Sequence, residues 1–137
     1  MANREGVRKM SAQEQLSFLQ PVNEREVRKA VIKELKKYKA LRVAVQNKQE
    51  QAEEGIDQLF PRLQYSETKN ELKARQIERA LQYSLDETER KIIEEKYLSP
   101  VRVNDINVYL DLGLTKDQYY IKKREAIFQI ATALRII

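Results

Sequence analysis

The sequence predicts an all-α protein, a long N-terminal helix followed by a compact helical unit containing a helix-turn-helix, and three observations carry that prediction. Only three glycines and three prolines interrupt 137 residues, in a chain rich in Glu, Lys, Gln, Leu and Ala, which favour helix. Apolar residues recur at steps of three and four, with no strand-like alternation, internal repeat or low-complexity tract. The C-terminal run VNDINVYLDLGLTKDQYYIKKREAIFQIATALRI reads as two helices joined by a tight turn, the second longer and basic over its first half. Five helices are expected, the last three forming one compact unit.

Residues 1–22 are expected to form a flexible N-terminus, because Val7, Met10, Leu16, Phe18 and Leu19 follow no sustained period. After Pro21, Asn23 can cap a helix whose residues Val27, Val31, Leu35, Tyr38, Leu41 and Val45 make one apolar stripe of about five turns. Gln46 to Glu54 is polar all round, and Gly55 is a suitable stop. Between Arg25 and Arg42 stand eight Lys/Arg and two Asp/Glu, so the polar face is strongly positive. Such a helix is too long for a small domain to cover, and residues 23–65, the helix and its connector, are expected to supply a homodimer contact or a partner surface. In the connector, 56–65, Pro61 interrupts any helix, and Ile56, Leu59, Phe60 and Leu63 are expected to act as anchors.

Residues 66–137 are expected to form the helical unit. Ser66 can start a helix running through Asn70, Leu72, Ile77, Leu81 and Tyr83. Asp86 with Glu89 starts the next, with Ile92, Ile93, Lys96 and Tyr97 on its inner face, and Ser99-Pro100 stops it. The helix-turn-helix is expected at 104–135. Asn104 offers a cap for a helix beginning at Asp105, Gly113 can take the left-handed conformation that ends it, and Thr115 can cap the last helix. Ile106, Leu110, Leu112 and Leu114 are placed to fix the angle between the two helices. On the last helix, Tyr119, Ala126, Ile127, Ile130, Ala131 and Leu134 share one apolar arc, with Lys122 or Lys123 able to lay its stem along the edge. Adjacent Tyr119 and Tyr120 cannot share a face, so one is expected in the core and the other outside. The projecting start, with Lys116, Gln118 and Tyr120 and then Lys122, Lys123 and Arg124, suits a DNA major groove. The same spacing also serves an αα-corner with no nucleic-acid partner.

Composition narrows the function by exclusion. The chain has no cysteine and no histidine, which removes disulfides, Cys/His zinc sites, thiol nucleophiles and Ser-His triads. The acidic pairs Glu53-Glu54, Asp86-Glu87 and Glu94-Glu95 lie among lysines, arginines and glutamines, as solvated surface acids do, and no glycine loop cradles a phosphate. The chain reads as a non-enzyme with no catalytic residue, no cofactor and no metal. No apolar run approaches the ~20 residues that span a bilayer, and the N-terminus lacks the apolar stretch of a signal peptide, so a soluble cytoplasmic protein is expected, with no membrane partner. The net charge of +5 is modest; it suits contact with phosphates through local patches and is too small to argue for nucleic-acid binding by itself.

The runs LDETERKIIEEKYL, NDINVYLDLGLT and KDQYYIKKREAIFQIATAL, together the part of the chain from Leu85 on, resemble the C-terminal part of phage-encoded regulators of the autolysin-regulator (ArpU) type. More distantly they resemble region 4 of bacterial sigma factors. The resemblance implies a DNA-binding transcriptional regulator of a phage or prophage, often acting on late genes. Position by position it implies a recognition-helix start at Lys116, Asp117, Gln118 and Tyr120, followed by Lys123 and Arg124. Thr115, the cap, completes the set of candidate DNA-binding residues. Asp105-Ile106-Asn107 departs from the acid-isoleucine-alanine step of sigma factors, and no promoter-melting segment is recognisable. The expected partner is double-stranded DNA, with a homodimer through the first helix and RNA polymerase as further candidates. Two alternatives stand beside this: a small terminase subunit recognising packaging DNA as a ring, and a helical interaction protein binding RNA polymerase or another phage protein.

Overall fold

In the computed structural model, residues 23–63 and 67–137 are described; the expected flexible N-terminus, 1–22, and the Ser66 start signal lie outside them. The described residues form five helices and no strand: α1 Glu24–Glu53, α2 Glu67–Tyr83, α3 Glu87–Tyr97, α4 Asp105–Asp111 and α5 Lys116–Ala133.

Local chemistry sets the bounds of α1. The Asn23 side chain accepts hydrogen bonds from the backbone N–H groups of Arg25 and Glu26, at 3.0 and 3.3 Å, satisfying donors that the first helical turn leaves open. At the other end Gly55 adopts φ +73°. That left-handed step lets Ile56 N–H reach back to the Gln51 carbonyl at 2.9 Å and Gly55 N–H to that of Ala52, which closes the helix.

The apolar stripe of α1 is covered by the chain itself. Val27, Val31, Leu35 and Tyr38 pack with Ala74, Ile77 and Leu81 of α2, with Ile93 and Leu98, and with Ala126, Ile127, Ile130 and Ala131 of α5. Leu41 is half-buried at the edge, and Val45, further along, is 43% exposed. Of the stripe expected to exceed what a small domain covers, the part as far as Leu41 is core, because α2 and α5 lie across it, and Val45 beyond it stays exposed. Any pairing through α1 has to use its second half or its outer face. Arg42 marks the change from core to open helix. Its guanidinium donates to both carboxylate oxygens of Glu94, at 3.2 and 2.8 Å, and lies 5.0 Å from the centre of the Tyr38 ring, a planar two-point contact that tethers α1 to α3.

The connector departs from expectation. Ile56, Leu59, Phe60 and Leu63 are 40, 55, 73 and 93% exposed, so they do not join the buried core, and residues 56–63 form bends without helix. Leu72 and Tyr83 also face outward on α2, whose buried side is made by Ala74, Ile77, Ala80 and Leu81.

Candidate nucleic-acid interface

The last three helices are each opened by a side-chain cap. Asp86 accepts from Glu89 N–H at 2.7 Å while the Glu89 carboxylate accepts from Asp86 N–H at 2.8 Å, a reciprocal capping box that opens α3. Asn104 accepts from Asn107 N–H at 2.9 Å and opens α4. After α4, Gly113 takes φ +69°, so that Leu114 N–H returns to the Tyr109 carbonyl at 2.9 Å and Gly113 N–H to that of Leu110. A Cβ built on Gly113 meets nothing within 4 Å; the backbone conformation alone calls for glycine. Two residues later Thr115 accepts from Gln118 N–H at 3.1 Å, and the Gln118 side-chain oxygen accepts from Thr115 N–H at 3.0 Å. This second capping box fixes the first turn of α5.

The wedge that holds α3, α4 and α5 together consists of Ile92, Val108 and Tyr119, all fully buried, with Val103, Tyr109, Leu112 and Leu114 around them. Leu112 and Leu114 take the place expected of them. Ile106 and Leu110 do not: they are 55 and 67% exposed, and Val108 holds the angle instead. On so short a helix one face meets the core, and Val108 occupies it. Of the tyrosine pair, Tyr119 is buried and Tyr120 is outside, 41% exposed, with ring centres 5.1 Å apart in an edge-on arrangement.

Asp105, the first residue of α4, draws this unit together electrostatically. Its carboxylate accepts from the Tyr119 hydroxyl and, at 3.0 Å, from the Lys123 ammonium, with Lys96 at 3.9 Å. Burial alone would raise the Asp105 carboxyl; the hydrogen bonds from Tyr119 and Lys123 outweigh it and hold the group below the usual carboxylate range. The Lys123 side chain is only 14% exposed. Its ammonium lies 5.6 to 5.8 Å from the ring centres of Tyr97, Tyr119 and Tyr120, where the negative ring faces favour a cation. Burial and the Asp105 charge push the Tyr97 hydroxyl up to about 12, so it stays protonated at neutral pH.

The candidate DNA-binding residues divide accordingly. Thr115, Lys116, Asp117, Gln118 and Tyr120 sit together on the exposed start of α5, joined by Ile121, 60% exposed. Lys116 and Asp117 make no ion pair among the described residues. Lys123 is spent on Asp105 and the tyrosines, and Arg124 pairs with Glu24 at the start of α1. Lys122 pairs with Asp86 at 2.6 Å. The basic run 122–124 thus ties α5 to α4, α3 and α1. Sequence reading missed Asp105 as the common acceptor, although an acid at the first position of a capped helix facing a lysine-rich one is a usable signal. Lys96, expected on the inner face of its helix, donates to the Val103 carbonyl at 2.9 Å and closes the loop into α4, a partner that its spacing did not assign. Among the described residues no cluster of acids is gathered to hold a metal ion, and no helix is long and apolar enough to cross a membrane.

Comparison with protein-family models, with curated proteins and with solved structures finds no match to this chain, so the interface rests on its own geometry and the likeness to autolysin-regulator proteins on the motifs alone.

Proposed function

We propose that the chain binds double-stranded DNA in a sequence-dependent way through the start of α5 and acts as a transcriptional regulator. The observation that carries this reading is the pairing of a rigid back with an open front. Tyr119 fixes α5 on α3 and α4, while the capped first turn turns Lys116, Gln118, Tyr120 and Ile121 outward. A helix held this way suits a major groove, with its N-terminal residues meeting base edges.

The roles follow from the hydrogen-bond inventory. Lys116 donates to a phosphate or a guanine edge. Gln118 already uses its oxygen on Thr115 N–H, so its amide NH2 remains to donate to a base acceptor; bidentate reading of adenine would require the capping box to open. Ile121 offers an apolar contact to a thymine methyl. Lys123 supports the helix from behind, whereas Arg124 is exposed and pairs with Glu24. The motif likeness extends the proposal to phage or prophage late genes.

Selection of duplexes from a random pool tests the reading. An enriched motif is expected, and Lys116→Gln should weaken binding to it by about tenfold or more, one base contact being worth roughly 1–3 kcal/mol. A pool without enrichment would remove sequence-dependent binding. A protein-binding reading is favoured by one observation, the exposure of Ile106, Leu110 and Ile121 on α4 and α5. Capture of RNA polymerase by the wild type, lost in Ile106→Asp/Leu110→Asp, without any duplex shift, would select it.

A further inference from the structure

The positive charge of this protein is concentrated away from the recognition helix. Residues 24–42 hold eight Lys/Arg against three Asp/Glu, a net charge of +5 that equals the formal charge of the whole chain. Of those three acids, Glu24 is neutralised by Arg124 and Glu34 by Lys73. Of the eight cations, only Arg42 is engaged in an ion pair among the described residues, with Glu94. On α5 the balance is different: Lys122, Lys123 and Arg124 are each paired, and only Lys116 of its four cations makes no ion pair among the described residues. Arg25, Lys29, Lys33 and Lys36 are exposed, and helical geometry sets them on the side of α1 opposite Val27, Val31 and Leu35.

We infer that this outward face of α1 is a phosphate-binding surface for the backbone of duplex DNA, carrying sequence-independent affinity while the start of α5 reads bases. The inference rests on the DNA-binding reading above. Spacing favours a polymer over a small anion. From Arg25 to Lys37 the helix rises about 18 Å, a length over which duplex DNA presents about ten phosphate charges. The face carries cations along that whole length and gathers them at no single point. A membrane fits less well. An interfacial helix lays an apolar face into the lipid, whereas the apolar face of α1 is buried in the core. The two surfaces are also joined. Glu24 pairs with Arg124, which is eight residues, or about 12 Å of helix, from Lys116. Arg28 is close enough to Tyr97 for its charge to act on that hydroxyl, and the Tyr97 ring lies 5.8 Å from Lys123. The start of α1 therefore flanks the helix-turn-helix.

Replacement of Lys29, Lys33 and Lys36 together by Gln, a good helix former, tests the surface without breaking a hydrogen bond seen among the described residues. Binding of the full chain is followed by fluorescence anisotropy from 50 to 200 mM salt, on the selected duplex and on a scrambled duplex, with vesicles of phosphatidylglycerol as a third probe. Thermal melting reports the fold. The triple variant should melt like the wild type and lose affinity equally for both duplexes, on the order of 100-fold at 0.1 M salt, with the log K against log salt slope shallower by about 2.7. Unchanged slope and affinity on the duplexes overturn the α1 surface and leave base reading by α5 standing. Wild-type protein that binds neither duplex overturns both readings. Wild-type protein that binds vesicles more tightly than DNA, with the triple variant losing that binding, makes the surface a membrane contact and overturns the inference.

Discussion

Asp105→Ala removes the acceptor on which α3, α4 and α5 converge. The side chain is 26% exposed and accepts from the buried Tyr119 hydroxyl and from Lys123, itself 14% exposed. Deleting it strands a buried hydroxyl and leaves an ammonium among three aromatic rings with its counter-charge gone. Charge-assisted hydrogen bonds contribute about 1.5–3 kcal/mol each, and partial exposure lets water recover some of that, so a loss of about 2–3 kcal/mol is expected. That is a large share of the ~5–15 kcal/mol that stabilises a domain. Urea unfolding followed by circular dichroism measures it, with the slope m unchanged. Adding Lys123→Met removes the stranded charge, so the double variant should recover about 1 kcal/mol against the sum of the single losses. The pH dependence has a definite sign. The folded Asp105 carboxyl titrates below its usual value, which is about 3.9 in an unfolded chain. Its contribution is therefore complete above about pH 4 and is lost as pH falls through the folded value, and the gap between wild type and Asp105→Ala should close at the acid end. A variant within about 0.5 kcal/mol of wild type at pH 7 would rule out a stabilising role for Asp105, since that is the range of an uninvolved surface change.

Other outcomes follow from the same geometry. Gly113→Ala meets no atom within 4 Å, so its cost should be that of the left-handed backbone alone, about 1–2 kcal/mol, read as a lower urea midpoint. Arg135 already holds φ +62° without being glycine, and Arg135→Gly should raise stability by about 0.5–1 kcal/mol in the same assay. Leu35→Asp places a charge at a 1% exposed core site and should unfold the chain by circular dichroism, at a cost of several kcal/mol, whereas Val45→Asp, at 43% exposure, should melt within about 0.5 kcal/mol of wild type. Gln118→Glu keeps an acceptor for Thr115 N–H and so should leave the melting temperature in place while weakening the duplex gel shift at least tenfold, through charge repulsion and loss of the amide donor.

What was legible in the sequence is what depends on neighbours a few residues away. Asn23, Asp86, Asn104 and Thr115 cap as expected, because a cap needs only a short polar side chain and the next turn's N–H groups. Gly55 and Gly113 end their helices, since only a left-handed step fits there. The apolar arc of α5 came through whole, as 3.6-residue periodicity reports directly on burial over five turns. Long-range pairing did not. Lys123 meets Asp105 across 18 residues and Arg124 meets Glu24 across 100, and no local rule assigns such partners, so two residues that read as DNA contacts are found in ion pairs within the chain, Lys123 largely buried and Arg124 exposed. The seven-residue α4 defeated the periodicity argument for a related reason. Over two turns every third or fourth residue is apolar on more than one face, and only packing decides that Val108 is inside while Ile106 and Leu110 are not.

Contact between the start of α5 and DNA is read out by nitrogen-15 amide shift mapping of the full chain on titration with the selected duplex. The largest shifts are expected at Lys116 to Ile121, with a second, salt-sensitive set along the outer face of α1. Undisturbed amides from Lys116 to Ile121 in a saturated complex would contradict that contact.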